Sequence, residues 1–540
     1  MLVRRTHSDF AAVMMRPVLS RRQFLELVGA AGGSAAVYRA ATAIGLLPAA
    51  ARAQTIAVQP LPSGETRTVA VLGAGIGGLA AAYELRRAGY DCVVLEASRR
   101  AGGRNMTLRA GDVVDEIGNA QTCRFDSDPD LYFNAGPARI PADHRRLLGY
   151  CRALGVRLEL FVNENRNAWV HHEGAFGGKP VRNRQYVTDA RGFIAEIAAK
   201  SVDAFALDEP MAGGDAEKLF DLLRAFGDLD ADAVYRGSAR AAYESGGMLV
   251  PGIKRGVFDL AEIVAAGFWR GPLNFGEQEF QVAPMMQPVG GMDRIVDAFV
   301  AELGQAVVLG APVRSIRLGE RDVEIVYERD GETRRLVADY CLNSIPLNIL
   351  AGIEHNFPRD YAAALAAVPP GRLFKIGLQA SRRFWEDEDI YGGISWTSQD
   401  ISQIWYPSHG IFSRKGIVLG AYTFGDDGGT KFAKLTPDER IETAIRQGER
   451  IHPAYRQHIE NGVSIVWHRI DHILGCSARW NDELIERHFA MLQAPAGRHY
   501  LIGDQISLHP GWQEGALASA HEALQQLDAR VAVEPAPARA

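Results

Sequence analysis

Cysteine is scarce in this chain. There are five in 540 residues: Cys92, Cys123, Cys151, Cys341 and Cys476. None forms a C-x-x-C pair, and none has a histidine at metal-ligand spacing. That argues against a zinc module or a thioredoxin-like motif and leaves mostly buried, unpaired thiols as the expectation, with one pair still open to a disulfide after export. No lysine- or arginine-rich run follows residue 53, so nucleic acid is a poor partner. Long apolar runs are missing too. In the first 53 residues the longest uncharged run with only one proline, Ala40–Ala51, falls short of the roughly 20 residues of a spanning helix, so no stable membrane span is expected. No internal repeat is present. What remains is ordinary for a globular protein, 47% hydrophobic and 23% charged. The length suggests about three or four domain-sized units with a large core.

What is present begins with a leader, residues 1–53. Ser20-Arg21-Arg22-Gln23-Phe24-Leu25 looks like a twin-arginine export signal. A weakly apolar stretch follows, and Ala51-Arg52-Ala53 offers an A-x-A cleavage site with Gln54 as the new N-terminus. A basic arm is the plainer alternative. The leader carries a net +5, so its removal takes the chain from −6 to −11. The expected location is periplasmic or secreted.

Thr68–Leu72 (TVAVL) reads as a buried parallel strand. Gly73-Ala74-Gly75-Ile76-Gly77-Gly78 follows at once, then a helical segment to Arg87, a turn, a second strand Cys92–Leu95, and Glu96. This is a dinucleotide unit. Gly73 allows the tight turn, Gly75 lets a pyrophosphate approach the backbone, and Gly78 lets helix and strand pack closely. The helix N-terminus offers N–H groups to phosphates, and Glu96 can accept from ribose hydroxyls. After Glu96 and Ala97, the run Gly102-Gly103-Arg104 resembles the flavin amine oxidases and related FAD families, in which the arginine lies near the FAD pyrophosphate. FAD is therefore expected over NAD. A protein that captures so bulky a cofactor has reason to fold before export.

Further on, Pro141–Leu154 reads as a helix. Residues 190–270 are helical with Gly and Pro breaks. Val307–Ala338 reads as a meander of four strands opening at VVLG. Phe374–Leu378, Ile394–Tyr406 and Gly416–Phe424 read as strands, Pro437–Ile451 as a helix, and Tyr500–Gly503 as a strand. Leu517, Ala520, Leu524 and Leu527 place a helix from about Glu514–Gly515, its N-terminus suited to charge on a reduced flavin. The Ala/Pro-rich tail from Val531 reads as disordered. The expected architecture is α/β, with a discontinuous Rossmann-like FAD-binding domain (65–140, 285–350, 465–530), a helical insertion (141–284), a mixed-sheet substrate domain (351–464) and a tail (531–540).

The match extends over most of the chain. The sequence resembles the L-amino-acid oxidases of the flavin monoamine oxidase superfamily. The resemblance rests on the dinucleotide unit, Asn134-Ala135-Gly136-Pro137-Ala138-Arg139-Ile140-Pro141 with Val162-Asn163-Glu164-Asn165, Gly290-Gly291-Met292-Asp293, Lys375-Ile376-Gly377-Leu378 through Gly420-Ala421-Tyr422, and Gly503-Asp504 with Gly511-Trp512-Gln513-Glu514-Gly515-Ala516. It implies that Arg139 and Tyr422 clamp a substrate carboxylate, which a planar guanidinium can hold through two parallel hydrogen bonds. It implies that Lys375 holds a water against flavin N5, the plainer alternative being a solvated strand face. Trp512 becomes a wall beside the substrate amine. Gly136, Pro137, Ala138, Arg139, Val313, Asp504 and the 511–516 block join the FAD contacts. Asp504 stands where relatives usually have Glu. Venom-type relatives carry an active-site histidine ahead of the Gly-Gly-Met-Asp block; Ala265-Ala266-Gly267-Phe268-Trp269-Arg270 has none, so no histidine base is expected. No cysteine follows Cys476, so FAD is expected to be non-covalent. The implied reaction is oxidative deamination of an L-amino acid to a 2-oxo acid by hydride transfer from Cα to flavin N5, with ammonia released and O2 reduced to H2O2. An amino-acid 2-monooxygenase, an amine or polyamine oxidase, and an exported electron-transfer or partner-binding flavoprotein stay open. A homodimer is common in such families.

Overall fold

The computed structural model describes residues 56, 58–201 and 215–534. The leader and its A-x-A site, and the tail beyond residue 534, lie outside the described residues. Among the described residues no helix is long and apolar enough to cross a membrane.

Thr68–Leu72 is buried along nearly its whole length, as a β-branched run between two covered faces should be. It sits at the centre of a five-stranded parallel sheet in the order Val307–Val308, Asp91–Leu95, Thr68–Leu72, Tyr340–Asn343, His499–Leu501. The strands come from three separate stretches of chain. The helices Ile76–Arg87 and Gln513–Val531 share one core cluster with the sheet. Val307–Val308 corrects the expected four-stranded meander. These two residues pair with Val94 and Leu95 on the parallel sheet, and the backbone of Glu96 donates to the Val308 carbonyl at 2.9 Å. Only Val313–Leu318, Val323–Arg329 and Glu332–Ala338 run as an antiparallel meander.

A seven-stranded mixed sheet lies on the substrate side: Val181–Arg182, Trp169–His171, Ile394–Thr397, Gln403–Trp405, Gly416–Phe424, Leu373–Ala380, Ile459–Val466. Ile394–Tyr406, read from sequence as one strand, is two strands joined by a turn in which Ser402 takes φ 59°. Every residue of Leu373–Ala380 is buried. Glu116 and Arg440, both fully buried, pair beneath this sheet at 2.8 Å; Glu116 also accepts from the Val466 backbone.

Three further boundaries differ from expectation. The helix expected from Pro141 begins at Arg145, because Ile140–Pro141 pairs with Met285–Met286. The helix Pro437–Gly448 stops short of Ile451. At the C-terminus, ordered chain extends past Val531. Glu534 pairs with Arg498 at 2.9 Å and Arg530 at 2.6 Å, so ion pairs hold residues whose composition alone reads as a tail. Asn183–Ser201, Asp215–Gly227 and Leu260–Ala266 supply the helical region. All five cysteines are free.

Candidate active site

A cleft of about 1080 Å³ opens along the ends of the parallel strands. Gly73 takes φ +94° at the turn. A Cβ on Gly78 would stand 2.1 Å from the Gly73 carbonyl oxygen, while one on Gly75 would meet nothing within 4 Å. Gly73 therefore makes the turn, Gly78 allows the close helix packing, and Gly75 leaves open space at the helix N-terminus. Glu96 accepts from the Ala74 backbone at 2.7 Å, and from the Ser98 backbone and hydroxyl at 2.9 and 2.8 Å. It ties the two turns together before it meets any ligand. Arg104 makes a two-pronged pair with Asp504 and also donates to the Cys476 carbonyl. Asp504 accepts in addition from the Gly511 backbone at 2.7 Å. An adenine dinucleotide fits these residues: an open glycine turn at a helix N-terminus, an acid at the end of the second strand, and an arginine on the wall.

Most of the expected cofactor residues line this cleft: Gly73, Gly75, Ile76, Gly77, Glu96, Ala97, Arg104, Gly136, Pro137, Val313, Asp504, Gly511, Trp512, Gln513 and Ala516. Five do not. Gly78 is a packing glycine. A Cβ on Gly515 would run into Ser507 and His509. Glu514 accepts from the backbones of Arg146 and Leu147 at 3.1 and 3.0 Å, so it caps the helix Arg145–Ala153. Ala138 packs into an apolar cluster, and Arg139 turns to the substrate side.

There the sheet register does the positioning. Lys375 and Tyr422 are direct cross-strand partners, and the Lys375 Nζ lies 4.5 Å from the Tyr422 ring centroid. Lys375 is 2% exposed and Gln379 on the same strand 0%, which removes the solvated-face alternative. Its Nζ donates to the carbonyl oxygens of Gly136 and Asn134. Burial, reinforced by the nearby Arg139 charge, pushes the amine down to about 7. The Arg139 guanidinium stacks 4.6 Å from the Trp405 ring and 5.5 Å from the Trp512 ring. It donates to the Gln281 side-chain oxygen at 2.8 Å, and its Nε is buried without a partner. Burial pushes it down to about 10. Among the described residues no Asp or Glu pairs with Arg139 or with Lys375. The Tyr422 hydroxyl is held protonated by burial; its ring packs at 5.3 Å against Trp405.

Several contributors escape a reading of the sequence. Trp405 stands in a strand with no motif around it. Gln281, Asn105 (which donates to Gln513 at 2.8 Å) and Trp467 (which donates to the Ala135 carbonyl at 3.0 Å) sit in no recognisable motif. His144 packs edge-on to Trp512, ring centroids 5.0 Å apart, and burial pushes it down to about 3, so it is neutral.

A dinucleotide cleft ending against a sheet that carries a paired lysine and tyrosine fits a dinucleotide-dependent oxidoreductase. Residues 76–527 match the family model described as flavin containing amine oxidoreductase. The chain is 28% identical over 494 residues to the flavin-dependent L-tryptophan oxidase RebO of Lentzea aerocolonigenes, covering 86% of this chain and 98% of that one. It is 28% identical over 473 residues to an L-amino-acid oxidase of Gloydius halys, covering 85% and 88%. Its fold is similar to that of a putrescine oxidase bound to putrescine (TM-score 0.59, 21% identity, 86% and 99% covered). It is also similar to that of the cyclohexylamine oxidase of Brevibacterium oxydans (TM-score 0.58, 18% identity, 86% and 99% covered). The chain belongs to the flavin-containing amine oxidoreductases, and FAD is its cofactor.

Proposed function

We propose that this protein oxidises L-amino acids to 2-oxo acids, releasing ammonia and hydrogen peroxide. The observation that carries the reading is Arg139: a guanidinium mostly buried between two tryptophans, with no acidic partner among the described residues, beside the Tyr422 hydroxyl. A buried cation without a counter-ion is costly, and a substrate carboxylate would supply one through charge-assisted bonds. The amino-acid oxidases among its relatives support the same reading.

Bound FAD supplies the acceptor for the substrate Cα hydride and the route by which O2 becomes peroxide. The protein's part is to bind and orient. Arg139 and Tyr422 hold the carboxylate, and the Trp512 and Trp405 rings wall the site from water. Lys375, pressed toward its neutral form by burial, keeps a water in place and can take its proton as the imino acid is hydrolysed. We infer that FAD is held without a covalent bond by the three-stretch domain (65–140, 285–350, 465–530), with residues 141–284 and 351–464 forming the substrate side. We also propose export through the twin-arginine pathway, which Ser20–Leu25 and the Ala51-Arg52-Ala53 site support.

A peroxide assay of the purified holoprotein against all L- and D-amino acids and a set of primary amines tests the reaction, with products identified by mass. Peroxide and a 2-oxo acid from L-amino acids are expected. An amide product would make it a monooxygenase, and turnover of amines alone would make it an amine oxidase.

A further inference from the structure

The unpaired guanidinium is not left bare. Arg139 donates to the side-chain oxygen of Gln281 at 2.8 Å. Asn163 Nδ2 donates to the same oxygen at 3.3 Å and to the Gln281 backbone carbonyl at 3.1 Å. Two donors converge on one amide oxygen, which fixes the amide orientation. The neighbouring Phe280 is seated on Trp512 and His144, ring centroids 5.7 and 5.6 Å apart. The segment is thus anchored on the wall of the substrate site, with Gln281 turned to the arginine. The amide nitrogen of Gln281 makes no hydrogen bond among the described residues, so the hydrogen bonds of this side chain there are those it accepts from Arg139 and Asn163.

We propose that Gln281 is an internal stand-in for the substrate carboxylate: it occupies Arg139 between turnovers and yields when a carboxylate arrives. This deepens the amino-acid reading above and rests on it. The chemistry needs an acceptor that is present but weak. A buried guanidinium with no acceptor is unfavourable, while a permanent carboxylate there would be an intramolecular inhibitor. A neutral amide offers one oxygen without charge. A substrate carboxylate offers two charged oxygens and makes the stronger bonds. Gln281 therefore sets how much of the arginine's attraction is available to substrate, and an occupied arginine weakens apparent affinity by the fraction of time it is occupied.

The test uses holoprotein of wild type, Gln281→Glu and Gln281→Ala at matched flavin content. Benzoate, a carboxylate that cannot be oxidised at Cα, is the probe; its Kd is read from flavin absorbance and by calorimetry. Relative to Gln281→Ala, Gln281→Glu should weaken benzoate roughly 10- to 100-fold. It should raise KM for the preferred amino acid similarly while kcat stays within about threefold. Equal benzoate affinity in the two variants, or a change in kcat alone, overturns the proposal. Should Gln281→Glu fail to retain flavin, Gln281→Ala still decides: with the stand-in gone it should bind benzoate at least as tightly as wild type, and tenfold weaker binding overturns the proposal. A wild type that binds benzoate but oxidises no amino acid would sink the function proposed above, while the benzoate comparison would still judge Gln281.

Discussion

Lys375 is a basic side chain that its surroundings press toward the neutral form. It is enclosed in a strand buried on both faces and held near 7 by burial and by Arg139. The sign of the consequence is definite. Between about 7 and the ordinary 10.5 the unfolded chain binds the proton and the folded one does not, so stability rises with pH across that window. Lys375→Met removes the penalty. It should raise the melting temperature most at pH 6–7, by the equivalent of a few kcal/mol, with the gain shrinking toward pH 10, while catalysis falls. Melting curves of the two holoproteins across pH check this; a gain that grows with pH contradicts it. Lys375, Tyr422, Arg139 and Trp512 could be singled out because each stands in a motif. Gln281 and Trp405 could not. Their roles come from contacts with Arg139 across 142 residues in the case of Gln281, and nothing in the local pattern marks an ordinary glutamine or a strand tryptophan.

Elements with strong local pattern were legible, and those chosen by a distant partner were not. Thr68–Leu72 and Gly416–Phe424 stand where periodicity and flanking glycine place them. Val307–Val308 is two apolar residues with no pattern of its own; pairing with Val94 and Leu95 decides its sheet. Ile140–Pro141 is likewise drawn into a strand by Met285–Met286, which delays the next helix. Glycine roles were the most legible feature, because their physics is local. Gly78→Ala would put a methyl 2.1 Å from the Gly73 carbonyl oxygen. The helix must then move off the strand, at a cost of about 1–3 kcal/mol, and the flavin-to-protein absorbance ratio of the purified variant should fall well below that of wild type. Full flavin retention would contradict the packing argument.

At the scale of the whole molecule, the cofactor cleft and the substrate sheet meet through residues far apart in the chain, and buried charge helps fix how they meet. Glu116 and Arg440 pair under the sheet with neither exposed. Glu116→Gln leaves a buried arginine without its counter-ion and should destabilise by about 3–5 kcal/mol, measured as a lower denaturation midpoint with little change in KM. The central claim is that this assembly reads a carboxylate next to an amine. It is tested most directly by kcat/KM for the preferred L-amino acid against its decarboxylated amine, in wild type and in Arg139→Met. Wild type should favour the amino acid by roughly 10⁴-fold, because the amine leaves Arg139 without its partner, and Arg139→Met should collapse that ratio while retaining FAD. A wild type that oxidises the amine as readily as the amino acid, or an Arg139→Met ratio equal to that of wild type, would contradict it.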